Sequence, residues 1–120
     1  MSDPLVDIDV STLPSGAAHV AVAGEIDMAN AEAVERRLDE ALHGLATAVI
    51  DLGSVEYIDS RGVRMLCDLA DRARWHDVLV AVAAPPDGVA GEVLAVAGLT
   101  EALSVHPSAD AAERALLSRG

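Results

Sequence analysis

Asp59, Ser60, Arg61 and Gly62 are the residues of this chain whose types and spacing suggest chemistry. A hydroxyl beside a carboxylate stands at the junction between an apolar run, Ala48-Val49-Ile50, and a long segment with helical periodicity. The first turn of a helix leaves amide N–H groups without partners, and those amides welcome a phosphate. The same residues also describe a plain helix start, with Ser60 as N-cap and Gly62 keeping the first turn open to close approach.

Other reactive side chains lack company. Cys67 is the single cysteine, so no intramolecular disulfide forms, and its place on an apolar helical stripe predicts a packed thiol. The four histidines show no metal-ligand spacing with it. A serine hydrolase would need a Gly-x-Ser-x-Gly turn, and independent nucleotide hydrolysis would need a Gly-x-x-x-x-Gly-Lys loop; neither occurs. A phosphoaspartate receiver needs a lysine near its site, and the chain contains no lysine. These readings leave a binding module, not an enzyme.

The elements that must position Ser60 follow from periodicity. Leu5 to Val10 alternates and predicts an outer strand; Pro14-Ser15-Gly16 turns it, and Ala18 to Ala23 completes a hairpin. Gly24 to Ala29 reads as a loop. Asn30 is a candidate N-cap for a helix reaching His43, with Ala31, Val34 and Leu38 on one stripe, Glu32 and Arg36 paired four apart, and Gly44 as stop. Val49, Ile50 and Leu52 predict a buried strand, followed by a loop to Asp59. The next helix carries Val63, Leu66, Cys67, Ala70 and Ala73 on its apolar face, with Trp75 covering an apolar edge at its end. Val78 to Ala83 is apolar throughout, as in a strand covered on both faces. A helix weakened by Gly88 and Gly91 runs from Pro85-Pro86-Asp87 to Gly98; a brief strand at 103–105 and a helix from Ser108 to Ser118 follow. Strand and helix alternate, which predicts an α/β sheet with parallel inner strands and an antiparallel first hairpin. With 120 residues and no composition shift, residues 1–120 are read as one domain.

Asp51-Leu52 followed by Tyr57-Ile58-Asp59-Ser60-Arg61-Gly62-Val63 resembles the signature of STAS domains, the anti-sigma factor antagonists, whose usual form is Asp-Leu, a short spacer, then Asp-Ser-Ser/Thr-Gly-Leu-Gly. Gly24-Glu25-Ile26-Asp27 and Gly98-Leu99-Thr100-Glu101-Ala102-Leu103 extend the resemblance over nearly the whole chain. Arg61 stands in place of the second hydroxyl residue, and Arg64 in place of the final glycine. The resemblance implies a mixed sheet flanked by about four helices, with Ser60 as the serine that a partner kinase phosphorylates. It implies a partner surface drawn from Glu25, Asp27, Met28, Asp59, Ser60, Arg61 and Arg64; Asp27 as a simple turn former stays open beside that role. The implied partners are an anti-sigma factor kinase, which would itself hold Mg-ATP, and a serine phosphatase. No cofactor is expected in this chain. A constitutive STAS subunit of a lipid-transport ABC complex, or of a stress-sensing scaffold, is the alternative.

Charge narrows the partners. With 20 acidic against 8 basic residues the formal charge is −12, the wrong sign for nucleic acid, whose binding rests on neutralising phosphates. Met1-Ser2-Asp3-Pro4-Leu5 has no basic start or long apolar run, and Val78 to Ala84 is too short to span a bilayer. A cytoplasmic location without membrane insertion is expected.

Overall fold

A computed structural model of the chain describes residues 5–119; the start of the N-terminal segment, Met1 to Pro4, lies outside the described residues, as does Gly120. Five strands form one sheet in the order β1-β2-β3-β4-β5: β1 (Val6–Thr12), β2 (Ala18–Ile26), β3 (Thr47–Ile58), β4 (Leu79–Ala83) and β5 (Val105–His106). β1 runs antiparallel to β2, and every other neighbouring pair is parallel. The helices are α1 (Ala31–Leu42), α2 (Ser60–Trp75), α3 (Val89–Val96) and α4 (Ala109–Arg119). The expected mixed sheet with parallel inner strands and four helices is what forms.

The two faces of the sheet are unequal. On one, Val20, Val22, Ile50, Leu52 and Val82 meet Val34 and Leu38 of α1, Met65, Leu66 and Leu69 of α2 and Leu94 of α3 in the larger core. On the other, Val49, Ala81 and Ala83 meet Ala112 and Leu116 of α4 in a smaller cluster with Ala17, flanked by Leu13, Leu79 and Ala109. α4 packs on β3, β4 and β5, so β1 and most of β2 keep that face open, with Asp7 and Asp9 exposed on it.

Both strands that lead to the site run farther than their sequence suggests. β2 continues through Gly24-Glu25-Ile26, and β3 through Gly53 to Ile58, where loops were expected. Turn-forming residues hid the pairing: Asp51 Oδ1 accepts from the Gly53 amide, and register shifts after Ala21 and Gly24 absorb the irregularity. Gly24 has φ +115, and a Cβ there would stand 1.8 Å from the Leu5 carbonyl oxygen. Only glycine fits that crossing.

The buried stripe of α2 is Gly62, Met65, Leu66, Leu69 and Ala73, turned from the expected one so that Val63, Cys67 and Ala70 are its half-buried flank. Burial, followed by Asp68 and Asp71, raises the pKa of the Cys67 thiol. Glu32 and Arg36 form no ion pair; α1 and α2 are joined instead by Arg72, which reaches Glu35 and, at 3.0 Å, Asp39. Burial lowers the Arg72 pKa, but the bonds to both carboxylates outweigh it and raise the net value. α3 begins at Val89, later than expected, because Gly88 serves as its N-cap. Trp75 covers no apolar edge: it is 86% exposed.

Candidate functional site

β2 and β3 end side by side, with Glu25 opposite Tyr57 and Ile26 opposite Ile58. The Asp59 amide donates to the Ile26 carbonyl at 3.2 Å, which ties the turn after β3 to the end of β2. From that point two chains diverge, one into α1 through Asp27-Met28-Ala29-Asn30, the other directly into α2. Their separation is set by a single carboxylate. Asp59 Oδ1 accepts from the Gly62 amide at 3.0 Å and Oδ2 from the Met28 amide at 3.1 Å.

Asp59 is thus the N-cap, and Ser60 the first residue of α2. This corrects the sequence assignment of the cap to Ser60. The physical reason is reach: Asp59 has extended backbone at the cap position and two acceptor oxygens, so it can serve both the helix and the neighbouring loop. Its negative charge also complements the positive end of the helix dipole. Relieved of capping, Ser60 is exposed, and its hydroxyl makes no hydrogen bond among the described residues. Gly62 explains why the turn lies so low on the sheet. A Cβ there would meet Ile58 Cγ1 at 2.8 Å and Ile26 Cγ2 at 2.9 Å.

The loop before α1 is equally fixed. Asp27 Oδ1 accepts from the Ala29 amide at 2.9 Å and the Asn30 amide at 3.2 Å, so Asp27 forms the turn. Asn30, buried and expected as a capping side chain, makes no cap bond to α1. It turns back into the loop, its Oδ1 accepting from the Asp27 amide at 2.9 Å and its Nδ2 donating to the Glu25 carbonyl at 2.8 Å. An amide side chain both donates and accepts, which this bridge requires and a cap does not.

The residues singled out in sequence therefore gather at one end of the sheet. Glu25, Met28, Ser60, Arg61 and Arg64 are exposed there, while Asp27 and Asp59 are half-buried and hold the frame. Arg64 lies one helical turn beyond Ser60 on α2, and neither Arg61 nor Arg64 is ion-paired among the described residues. Met28 is 78% exposed, and Tyr57, beside Glu25 in the ladder, is 48% exposed. Tyr57 belongs to this surface and was missed, although an aromatic alternating with Ile58 in a chain with two aromatics was a signal.

The surface offers a hydroxyl, two guanidiniums and two exposed apolar groups on a rigid turn. Beside the hydroxyl, each oxygen of Asp59 accepts one backbone bond. Elsewhere, His19 Nε2 and Asp51 Oδ2 lie 2.8 Å apart on the open sheet face; Ser11, opposite His19 in the ladder, makes no bond to it. No helix among the described residues is long and apolar enough to cross a membrane.

A family profile described as the Mlab, STAS domain matches residues 11–106. The crystal structure of an anti-sigma factor antagonist from Mycobacterium paratuberculosis is similar over 96% of this chain and 97% of its own, at 26% identity and TM-score 0.76. The anti-sigma factor antagonist SpoIIAA, in its unphosphorylated form, shares the fold at 15% identity and TM-score 0.67, over 94% and 95% of the two chains. A sulfate transporter family protein from Wolinella succinogenes shares it at 20% identity and TM-score 0.69, over 92% and 93%. No curated protein matches the chain in sequence.

Proposed function

The chain belongs to the STAS domain family, and from that premise we propose that it is an anti-sigma factor antagonist switched by phosphorylation of Ser60. In the unphosphorylated form it binds an anti-sigma factor and frees the sigma factor that the partner holds. The same partner, a serine kinase carrying its own Mg-ATP, modifies Ser60, and a serine phosphatase resets it. The observation that carries this reading is the exposed, unbonded Ser60 hydroxyl at the first position of α2, on a turn that Asp59 fixes. Glu25, Met28, Tyr57, Arg61 and Arg64 supply the surrounding contact surface.

A phosphate on Ser60 adds about 1.5 to 2 negative charges at pH 7 inside that surface. Helix amides and Arg61 accommodate it in the folded chain, so the modification is carried without unfolding. Its cost falls on the complex. Arg61, where the family signature has a hydroxyl residue, offsets part of the added charge and softens the switch.

The test is intact-mass measurement after incubation with the partner kinase and ATP. One phosphate is expected on the parent and none on Ser60→Ala, which still binds the partner; Ser60→Asp binds at least tenfold more weakly, about 1.4 kcal/mol. A phosphate retained on the alanine variant overturns the assignment. Arg61→Ser makes the phosphate more costly to binding than it is in the parent, and equal costs remove the buffering role. A second reading, a constitutive STAS subunit of a lipid-transport ABC complex or stress-sensing scaffold, draws on Arg61 and Arg64, which depart from the switch signature. A neighbouring gene for a transporter ATPase in place of an anti-sigma kinase favours it.

A further inference from the structure

The direction in which the backbone groups of β1 point is fixed at both of its ends. The Glu25 amide donates to the Leu5 carbonyl at 3.0 Å, and just past the strand the Leu13 amide donates to the Ala17 carbonyl at 2.8 Å. In an antiparallel pair such bonds recur at every second residue, so Asp7, Asp9 and Ser11 direct their amides and carbonyls to β2. Those of Val6, Ile8, Val10 and Thr12 point outward. Arg37 Nη1, which donates to the Val6 carbonyl at 3.1 Å from α1, marks that direction. β1 is the first strand of the sheet, so no strand among the described residues meets the outward groups of Ile8, Val10 and Thr12.

Side chains alternate between the two faces in the same rhythm. Asp7 and Asp9 stand exposed on the face that α4 leaves bare, whereas Ile8 is half-buried at the rim of the larger core and Val10, on the same side as Ile8, is 51% exposed. Edge strands are commonly blunted by a proline, a lysine or a bulge. β1 has none of these: its seven residues read Val-Asp-Ile-Asp-Val-Ser-Thr and pair with β2 without a register shift. Only charge stands against a joining strand, and charge selects by sign. In a chain of net charge −12, a basic strand is drawn to Asp7 and Asp9.

We propose that the outer edge of β1 binds an extended segment of a partner protein, added antiparallel as a further strand, with basic residues opposite Asp7 and Asp9 and apolar residues opposite Ile8 and Val10. Main-chain bonds to Ile8, Val10 and Thr12 hold the segment, and its alternation sets the register. Asp7 and Asp9 fall at the non-bonded positions of the new ladder, where facing Cα atoms are only about 4.5 Å apart, so a guanidinium there reaches the carboxylate. On the other face, apolar side chains cover Val10 and extend the core outward. No residue of this edge belongs to the surface around Ser60.

A capped peptide of alternating arginine and valine, seven residues long like β1 and with arginine at both ends, tests this when titrated into the intact chain. One saturable site is expected, with slowed hydrogen exchange at the Ile8, Val10 and Thr12 amides and little change at Asp7 and Asp9, whose amides already bond to β2. A peptide of the same composition with its arginines and valines in two blocks keeps the charge but not the alternation, and binds at least about tenfold more weakly. N-methylation of the valines removes the donors that face β1 and abolishes binding. Asp7→Asn and Asp9→Asn each weaken the alternating peptide about threefold. Glu92→Gln, on α3, leaves its binding unchanged. The proposal is overturned by absence of saturable binding, by equal binding of the blocked or N-methylated peptide, by aspartate variants that bind as the parent does, by a Glu92→Gln variant that weakens as they do, or by protection confined to other strands or to the Ser60 end. It is also overturned if the free chain sediments as a dimer with the Ile8, Val10 and Thr12 amides already protected, which makes a second copy the occupant. None of these readouts uses the kinase or the anti-sigma partner, so they stand apart from the proposed switch.

Discussion

The two ends of α2 are held by different means. At the N-terminal end, short groups do the work: Asp59 accepts from two backbone amides, and Gly62 rests on Ile26 and Ile58 without a side chain between. At the C-terminal end, long side chains span gaps: Arg72 reaches across to Glu35 and Asp39, Arg74 to Asp71, and Trp75 projects into solvent. Short, partly buried contacts place an exposed hydroxyl reproducibly; long, exposed ones leave room beside the sheet. A single helix therefore combines an end held by short backbone contacts with an end held by long side chains.

Substitutions at the fixed end should cost most. Gly62→Val forces a branched side chain against Ile26 and Ile58 and is expected to destabilise the fold by about 2 to 3 kcal/mol, read from urea unfolding. A loss below about 0.5 kcal/mol would mean that the turn is not seated as described. Asp59→Ala removes the cap and the bond to the Met28 amide together, for about 1 to 2 kcal/mol. Hydrogen exchange at the Met28 and Gly62 amides should then accelerate together, whereas acceleration at one alone would separate the two roles.

The looser end should respond less. Arg72→Ala is expected to cost about 1 kcal/mol or less, since its side chain is 39% exposed and solvent screens the pairs. Its loss should fall further in high salt; a salt-independent effect would point to packing instead. The smallest change is expected at Glu113 of α4, whose carboxylate accepts from the Ser15 hydroxyl and from the Ser15 amide at 2.9 Å, which lowers its pKa. A lowered carboxyl pKa stabilises the fold above its ordinary range and loses that contribution as pH falls through the folded value. The melting midpoint of the parent should therefore drop slightly more than that of Glu113→Gln between pH 7 and pH 3.

Much of this architecture is legible in the sequence because period and punctuation agree in most segments. The first hairpin, α1 with its stop at Gly44, the apolar β4 and the helix after Ser108 follow from residue types alone. Failures occur where one residue serves two neighbours. Asp51 and Gly53 have turn chemistry but lie within β3, since pairing to β2 overrides local preference. Asn30 and Asp59 both read as part of a helix start, yet only contacts to another segment distinguish the residue that caps from the one that stitches a loop. Period alone placed the stripe of α2 on the right helix but one residue out of phase, because Gly62, with no side chain to count as apolar, is its first buried member.

The face of β1 and β2 that α4 leaves bare has a consequence for association. β1 is an edge strand with one row of backbone groups turned outward, a template that another strand could join. Asp7 and Asp9 stand on it, and two copies meeting edge to edge would bring their rows of carboxylates together. Like charges across adjacent strands oppose such pairing. The acidity of the chain thus guards its one antiparallel border against self-templating, and the guard has a finite range: in 1 M salt, where charge reaches only about 3 Å, that border is left to its backbone.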